Sequence, residues 1–123
     1  MKSKSESDTP AVARDLPETP FVGIFTIDVV PEMRSRFLSE MEKAMAESAR
    51  EPGVTDFMLL VDRDDPNRFT AVDIYADREA YEAHLAAPQT PRLVGALEGC
   101  LLGPPKGSFH HLASTKQSFS RRG

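Results

Sequence analysis

The run Thr55-Asp56-Phe57-Met58-Leu59-Leu60-Val61-Asp62-Arg63-Asp64-Asp65-Pro66-Asn67-Arg68-Phe69-Thr70-Ala71-Val72-Asp73-Ile74-Tyr75-Ala76 reads as two strands joined by a turn. Its centre, Arg63 to Asn67, holds Asp, Asn and Pro, whose side chains either bond to nearby backbone or preset φ for a tight reversal. On each side lie runs rich in Val, Ile, Phe, Thr and Tyr, which predict an antiparallel hairpin over 55–62 and 68–76. Phe57 to Val61 are apolar at successive rather than alternate positions. Strand side chains alternate faces, so both faces of this strand need cover.

Upstream, Phe21 to Val29 is a further strand, and Pro31 fits the first turn of a helix, where a missing N–H costs nothing. Met33, Phe37, Met41, Ala44, Met45 and Ser48 recur at spacings of three and four, which predicts one apolar helical stripe running to about Arg50. Pro52-Gly53 ends it. Downstream, Asp77 is a candidate N-cap for a helix over 78–87, which Pro88 breaks. Thr90-Pro91 reads as a fresh cap and first helical residue, with Leu93, Val94, Leu97 and Leu101 as the stripe and Gly103-Pro104-Pro105 as the stop. A last strand is expected over 107–113. The order β-α-β-β-α-β predicts an α+β, ferredoxin-like domain: a four-stranded antiparallel sheet with its helices on one face. Those helices leave the other face of the middle strand bare, so a homodimer with two sheets packed face to face is expected.

Composition sets the limits of this domain. Of the 123 residues, 40% are apolar and 28% charged, enough for one core in an ordinary soluble domain. Residues 1–20 are rich in Ser, Thr, Pro, Lys and Glu without apolar periodicity, and are expected to be a disordered arm. The folded unit is expected over 21–113, and 114–123 is expected to be a flexible basic tail. Net charge is −4, although the tail carries Lys116, Arg121 and Arg122 with no acid, so the body is more acidic than the whole. An acidic body repels phosphate backbones, which argues against nucleic acid as a partner. No apolar run approaches the ~18 residues of a membrane span. A lone cysteine, Cys100, and no signal-like start fit a cytoplasmic location.

Beyond these patterns, Arg50-Glu51-Pro52-Gly53-Val54, the turn Asp65-Pro66-Asn67-Arg68-Phe69 and the stretch Val72-Asp73-Ile74-Tyr75-Ala76-Asp77-Arg78-Glu79-Ala80-Tyr81-Glu82-Ala83-His84 through Pro88 resemble the antibiotic biosynthesis monooxygenase family. The resemblance covers most of 21–105. It implies a dimeric α+β barrel and, among the family's chemistries, a cofactor-independent monooxygenase acting on an aromatic or quinol-type metabolite. His84 matches the family's histidine on the short helix, and Tyr81 the tyrosine of the anthrone oxygenases. Asp73 stands where glutamate is usual, and Tyr75 where many members have tryptophan. The chain contains no tryptophan, Ala71 replaces an expected asparagine, and Gln89 follows Pro88 where many relatives have histidine. These departures keep two alternatives open: a non-catalytic small-molecule-binding or scaffolding module, and an isomerase or cyclase using the same base.

The chemistry needs a base, a dry pocket and a donor for a ring oxygen, with no cofactor. Histidine is the natural base near neutral pH. Phe69, Ala71, Asp73 and Tyr75 share one strand face, while Tyr81 and His84 are three apart and so neighbours on a helix. If that helix lies over that face, His84, Asp73 and Tyr81 form the catalytic group, with Asp73 orienting the imidazole. Tyr75, Phe57, Ala71 and Phe37 are the candidate substrate contacts. A plainer role for Asp73 is an ion pair with Arg68 or Arg92, and for Tyr81 a core aromatic. His110 and His111 point to opposite strand faces, a poor arrangement for one metal, so no metal site is expected.

Overall fold

The computed structural model describes residues 20–114. The elements are β1 (Phe21–Asp28), α1 (Arg34–Ser48), β2 (Val54–Val61), β3 (Arg68–Tyr75), α2 (Arg78–Ala86), α3 (Gln89–Ala96) and β4 (Lys106–His111). A single 3-10 turn, Pro31–Met33, leads into α1. The strands form one antiparallel sheet in the order β2-β3-β1-β4. This is the ferredoxin-like α+β arrangement. The arm expected over 1–20 and the tail expected over 114–123 lie outside the described residues, apart from Pro20 and Ser114 at the two limits.

The hairpin is held by the side chains its composition suggested. Asp62 Oδ2 accepts from the backbone N–H groups of Asp64 and Asp65 at 3.0 Å, and Asp65 Oδ1 accepts from Asn67 N–H at 2.9 Å. Arg68 Nε donates to Asp28 Oδ1 at 2.8 Å, which ties the start of β3 to the end of β1. The register sets Asp73 between Phe57 on one side and Gly23 on the other, in the middle of the sheet.

The helices cover one face. From α1, Phe37, Met41, Ala44 and Ser48 are buried against it, the three-and-four spacing of the sequence. Phe37 meets Phe69 with ring centroids 4.8 Å apart, inside a core that includes Ile27, Val29 and Ala71. Asp77 caps α2 by accepting from Ala80 N–H at 2.8 Å. Gly53 lets α2 sit close: a Cβ there would fall 2.4 Å from that of Ala80. On the opposite face Met58 and Leu60 remain 38% and 49% exposed.

The second helical region differs from expectation. Its last helix begins at Gln89, with Pro88 in the cap position and no side-chain cap. Thr90, expected as the cap, instead donates its hydroxyl to the His84 carbonyl at 2.7 Å. That carbonyl, at the end of α2, already accepts from the cap N–H of Ala87 at 3.1 Å, and Thr90 adds a second donor. Leu101, expected on the helical stripe, lies in an extended bridge opposite Val29. The chain leaves the helix before it, through Gly99 at φ 84°, a conformation side chains rarely adopt.

Candidate functional site

Between the helix-covered face of the sheet and the three helices lies a cavity of about 310 Å³. That is the lower end of the range for small-molecule sites, roughly 300–1,000 Å³. β3 contributes Ala71, Asp73 and Tyr75, alternate residues of one strand face; β2 contributes Phe57; α2 contributes Tyr81 and His84. The geometry that the spacing required is present: α2 packs over that strand face. Phe37 stands elsewhere. It is fully buried on Phe69 and does not line the cavity, so its place is in the core rather than against a ligand. Helical spacing alone puts it on the inward face but does not say which part of that face meets empty space.

The partner of His84 is not Asp73. His84 Nδ1 lies 3.1 Å and 3.3 Å from the two carboxylate oxygens of Glu51, in the loop after α1. Gln89 Nε2, at the start of α3, donates to Glu51 Oε2. One carboxylate therefore ties together the loop, α2 and α3. Thirty-three residues separate Glu51 from His84. Glu51 does lie in one of the runs that carry the family resemblance, and that was its one sequence signal.

Asp73 makes a different set of contacts. Its Oδ2 accepts from the Tyr75 hydroxyl at 3.1 Å, and its Oδ1 has no partner. Neither arginine pairs with it: Arg68 binds Asp28, and Arg92 binds Glu47 at 2.8 Å. The carboxyl is 7% exposed. Burial pushes its pKa above the ordinary carboxylate value, and the Tyr75 hydrogen bond and nearby His84 only partly oppose this. The Tyr75 hydroxyl is also pushed up, first by burial and then by the Asp73 charge, and Tyr81 is raised for the same two reasons. Both phenols are thus kept protonated, as hydrogen-bond donors.

Rings enclose the group. Tyr75 lies 5.4 Å from Tyr81 and 5.5 Å from His84, centroid to centroid, and Tyr81 packs on Phe21 and Phe109 at 5.2 Å each. Tyr81 is therefore both a core aromatic and a lining residue. On β4, His110 Nε2 lies 2.9 Å from Ser108 Oγ, and the His111 ring meets Phe21 edge-on. Neither residue lines the cavity. Among the described residues no three His, Cys, Asp or Glu side chains gather as a metal set, and no helix is long and apolar enough to cross a membrane.

The chain is similar in structure to several solved proteins. A Nitrosomonas europaea protein provisionally described as an antibiotic biosynthesis monooxygenase superposes with a TM-score of 0.73 at 24% identity, over 76% of this chain and 90% of that one. A Pseudomonas aeruginosa protein gives 0.72 at 24% identity, over 80% and 98%. A conserved protein from Methanosarcina mazei Go1 gives 0.73 at 15% identity, over 80% and 97%. At such identities the likeness is one of fold. No curated protein sequence matches the chain. The family assignment comes from the sequence pattern itself, because residues 20–95 match the model of antibiotic biosynthesis monooxygenases, and the chain belongs to that family.

Proposed function

We propose that the protein is a cofactor-independent monooxygenase for an aromatic, quinol-type small metabolite, with His84 as its base. The observation that carries this reading is an imidazole held by a carboxylate through Nδ1 on the wall of a largely apolar cavity. With its proton on Nδ1 the ring donates to Glu51, and Nε2 is left as the group that accepts a proton. Glu51 takes the orienting role first assigned to Asp73.

The chemistry follows from these groups. A bound phenol or anthrone loses a proton to His84, and the resulting anion passes one electron to dioxygen. The substrate radical and superoxide combine in a C–O bond. The peroxide takes up a proton, and its O–O bond breaks as a second substrate hydrogen leaves. One oxygen atom ends in the new carbonyl and the other in water, so two substrate hydrogens and one dioxygen are consumed. Tyr81, a protonated donor on the cavity wall, holds the ring oxygen, while Tyr75, whose hydroxyl donates to Asp73, packs against the ring. The apolar wall keeps water from the anion.

The test is dioxygen uptake on a panel of hydroquinones and anthrones. The expected result is uptake that falls by at least about a hundred-fold in His84→Ala, in the range of a lost general base. Glu51→Gln should lower kcat more than it raises KM. No uptake on any compound, or uptake that ignores both variants, sinks the reading.

We further propose that the working unit is a homodimer formed through the face carrying Met58 and Leu60. Large apolar side chains left exposed side by side favour association. The proposed compartment is the cytoplasm, in keeping with the buried free thiol of Cys100.

A further inference from the structure

Among the described residues, two buried side-chain oxygens have no hydrogen-bond partner: Ser48 Oγ and Asp73 Oδ1. Both residues line the same cavity. Ser48 is 1% exposed at the last position of α1, and Asp73 lies on the facing strand β3. An unsatisfied buried polar atom costs about 1–3 kcal/mol, and native folds keep only a few per hundred residues. Two on the walls of one cavity are not explained by packing: alanine would serve as well at the end of α1, and Arg68 and Arg92 pair with Asp28 and Glu47 rather than with Asp73.

We propose that Ser48 Oγ and Asp73 Oδ1 form a further polar subsite of this cavity, for a hydroxyl of an uncharged aromatic ligand. The choice of ligand class follows from the rest of the lining. A hydroxyl both donates and accepts, so it can donate to the carboxyl oxygen or accept from the serine. A ligand carboxylate or phosphate meets Asp73 and, behind His84, Glu51, while no lysine or arginine lines the cavity. The apolar remainder, with Phe57, Leu93 and Leu97, disfavours any ligand charge through desolvation. His84 lines the same cavity, so a second oxygen on the ligand can meet the base. This inference deepens the proposed function and rests on the cavity being its ligand site.

Calorimetric titration of the full chain tests it without turnover, under nitrogen at pH 8, with naphthalene, 1-naphthol and 1-naphthoate as probes. In the wild type 1-naphthol should bind at least about ten-fold more tightly than either of the others, the usual range for a hydrogen bond to a buried charged or polar group. Ser48→Ala removes a single oxygen and should shrink the preference for 1-naphthol over naphthalene several-fold. Asp73→Asn removes the ionisable carboxyl and should narrow the gap between 1-naphthol and 1-naphthoate. Equal binding of 1-naphthol and naphthalene, or preferences unchanged in both variants, overturns the subsite but leaves dioxygen uptake as the separate judge of the activity. Binding of none of the three overturns the subsite together with the cavity's role. If Asp73→Asn fails to fold, Ser48→Ala still decides.

Discussion

Replacing Asp73 by asparagine should change stability relative to wild type in a direction that becomes more favourable to the variant as pH rises. The carboxyl is buried between Phe57 and Gly23, takes one hydrogen bond from Tyr75 and faces no arginine or lysine. Its folded pKa is raised from an ordinary value of 3.8. Below that value the acid is protonated in both the folded and unfolded chains, so pH has no leverage on it. Above it the unfolded chain releases the proton while the folded chain holds it. The folded state then binds one proton more, and stability falls as pH rises, by at most about 1.4 kcal/mol per pH unit. The loss stops once pH passes the folded pKa. Asparagine has the same shape, can still accept from Tyr75, and does not titrate. Urea denaturation of both proteins between pH 3 and pH 9 measures the difference directly. The stability of Asp73→Asn relative to wild type should climb from the acid end to a plateau. A flat difference refutes the argument, and one that shrinks with rising pH would mean the carboxylate has a stabilising partner.

Further outcomes follow from the same geometry. Phe37→Ala should cost about 3–5 kcal/mol in urea, the range for an aromatic core truncation, because the ring is fully buried on Phe69; a small stability loss with a large loss of ligand affinity would return Phe37 to the site. Asp77→Ala should cost ~1 kcal/mol through loss of the α2 cap, with Asp77→Ser recovering most of it. Leu60→Lys alters a half-exposed side chain and should change the fold of one chain little, yet it should shift light scattering from twice the chain mass to the chain mass; a wild type already at the chain mass ends the dimer proposal.

Much of the fold was legible because its signals are local. The Asp62 to Asn67 turn, the Asp77 cap and the stripe of α1 each act within a few residues, so type and spacing were enough to place them. Errors gathered where one local signal competed with another. Thr90-Pro91 looks like a helix start, but the carbonyl of His84 claims the threonine hydroxyl, and the helix begins earlier. The site was legible in part. Asp73, Tyr75, Tyr81 and His84 lie within twelve residues on a strand and the helix that follows it, and periodicity puts them on facing surfaces.

By itself the sequence determined a βαββαβ chain, the inward stripe of α1, the shared face of β3 and a histidine beside two tyrosines and an acid. Only the tertiary structure decided who touches whom: Glu51 rather than Asp73 holds His84, Ser48 lines the cavity, and Phe37 fills the core. The reason is physical. Turns, caps and stripes are set by short stretches of backbone, whereas a hydrogen bond between residues 51 and 84, or a gap left between a helix and a sheet, depends on how whole elements pack.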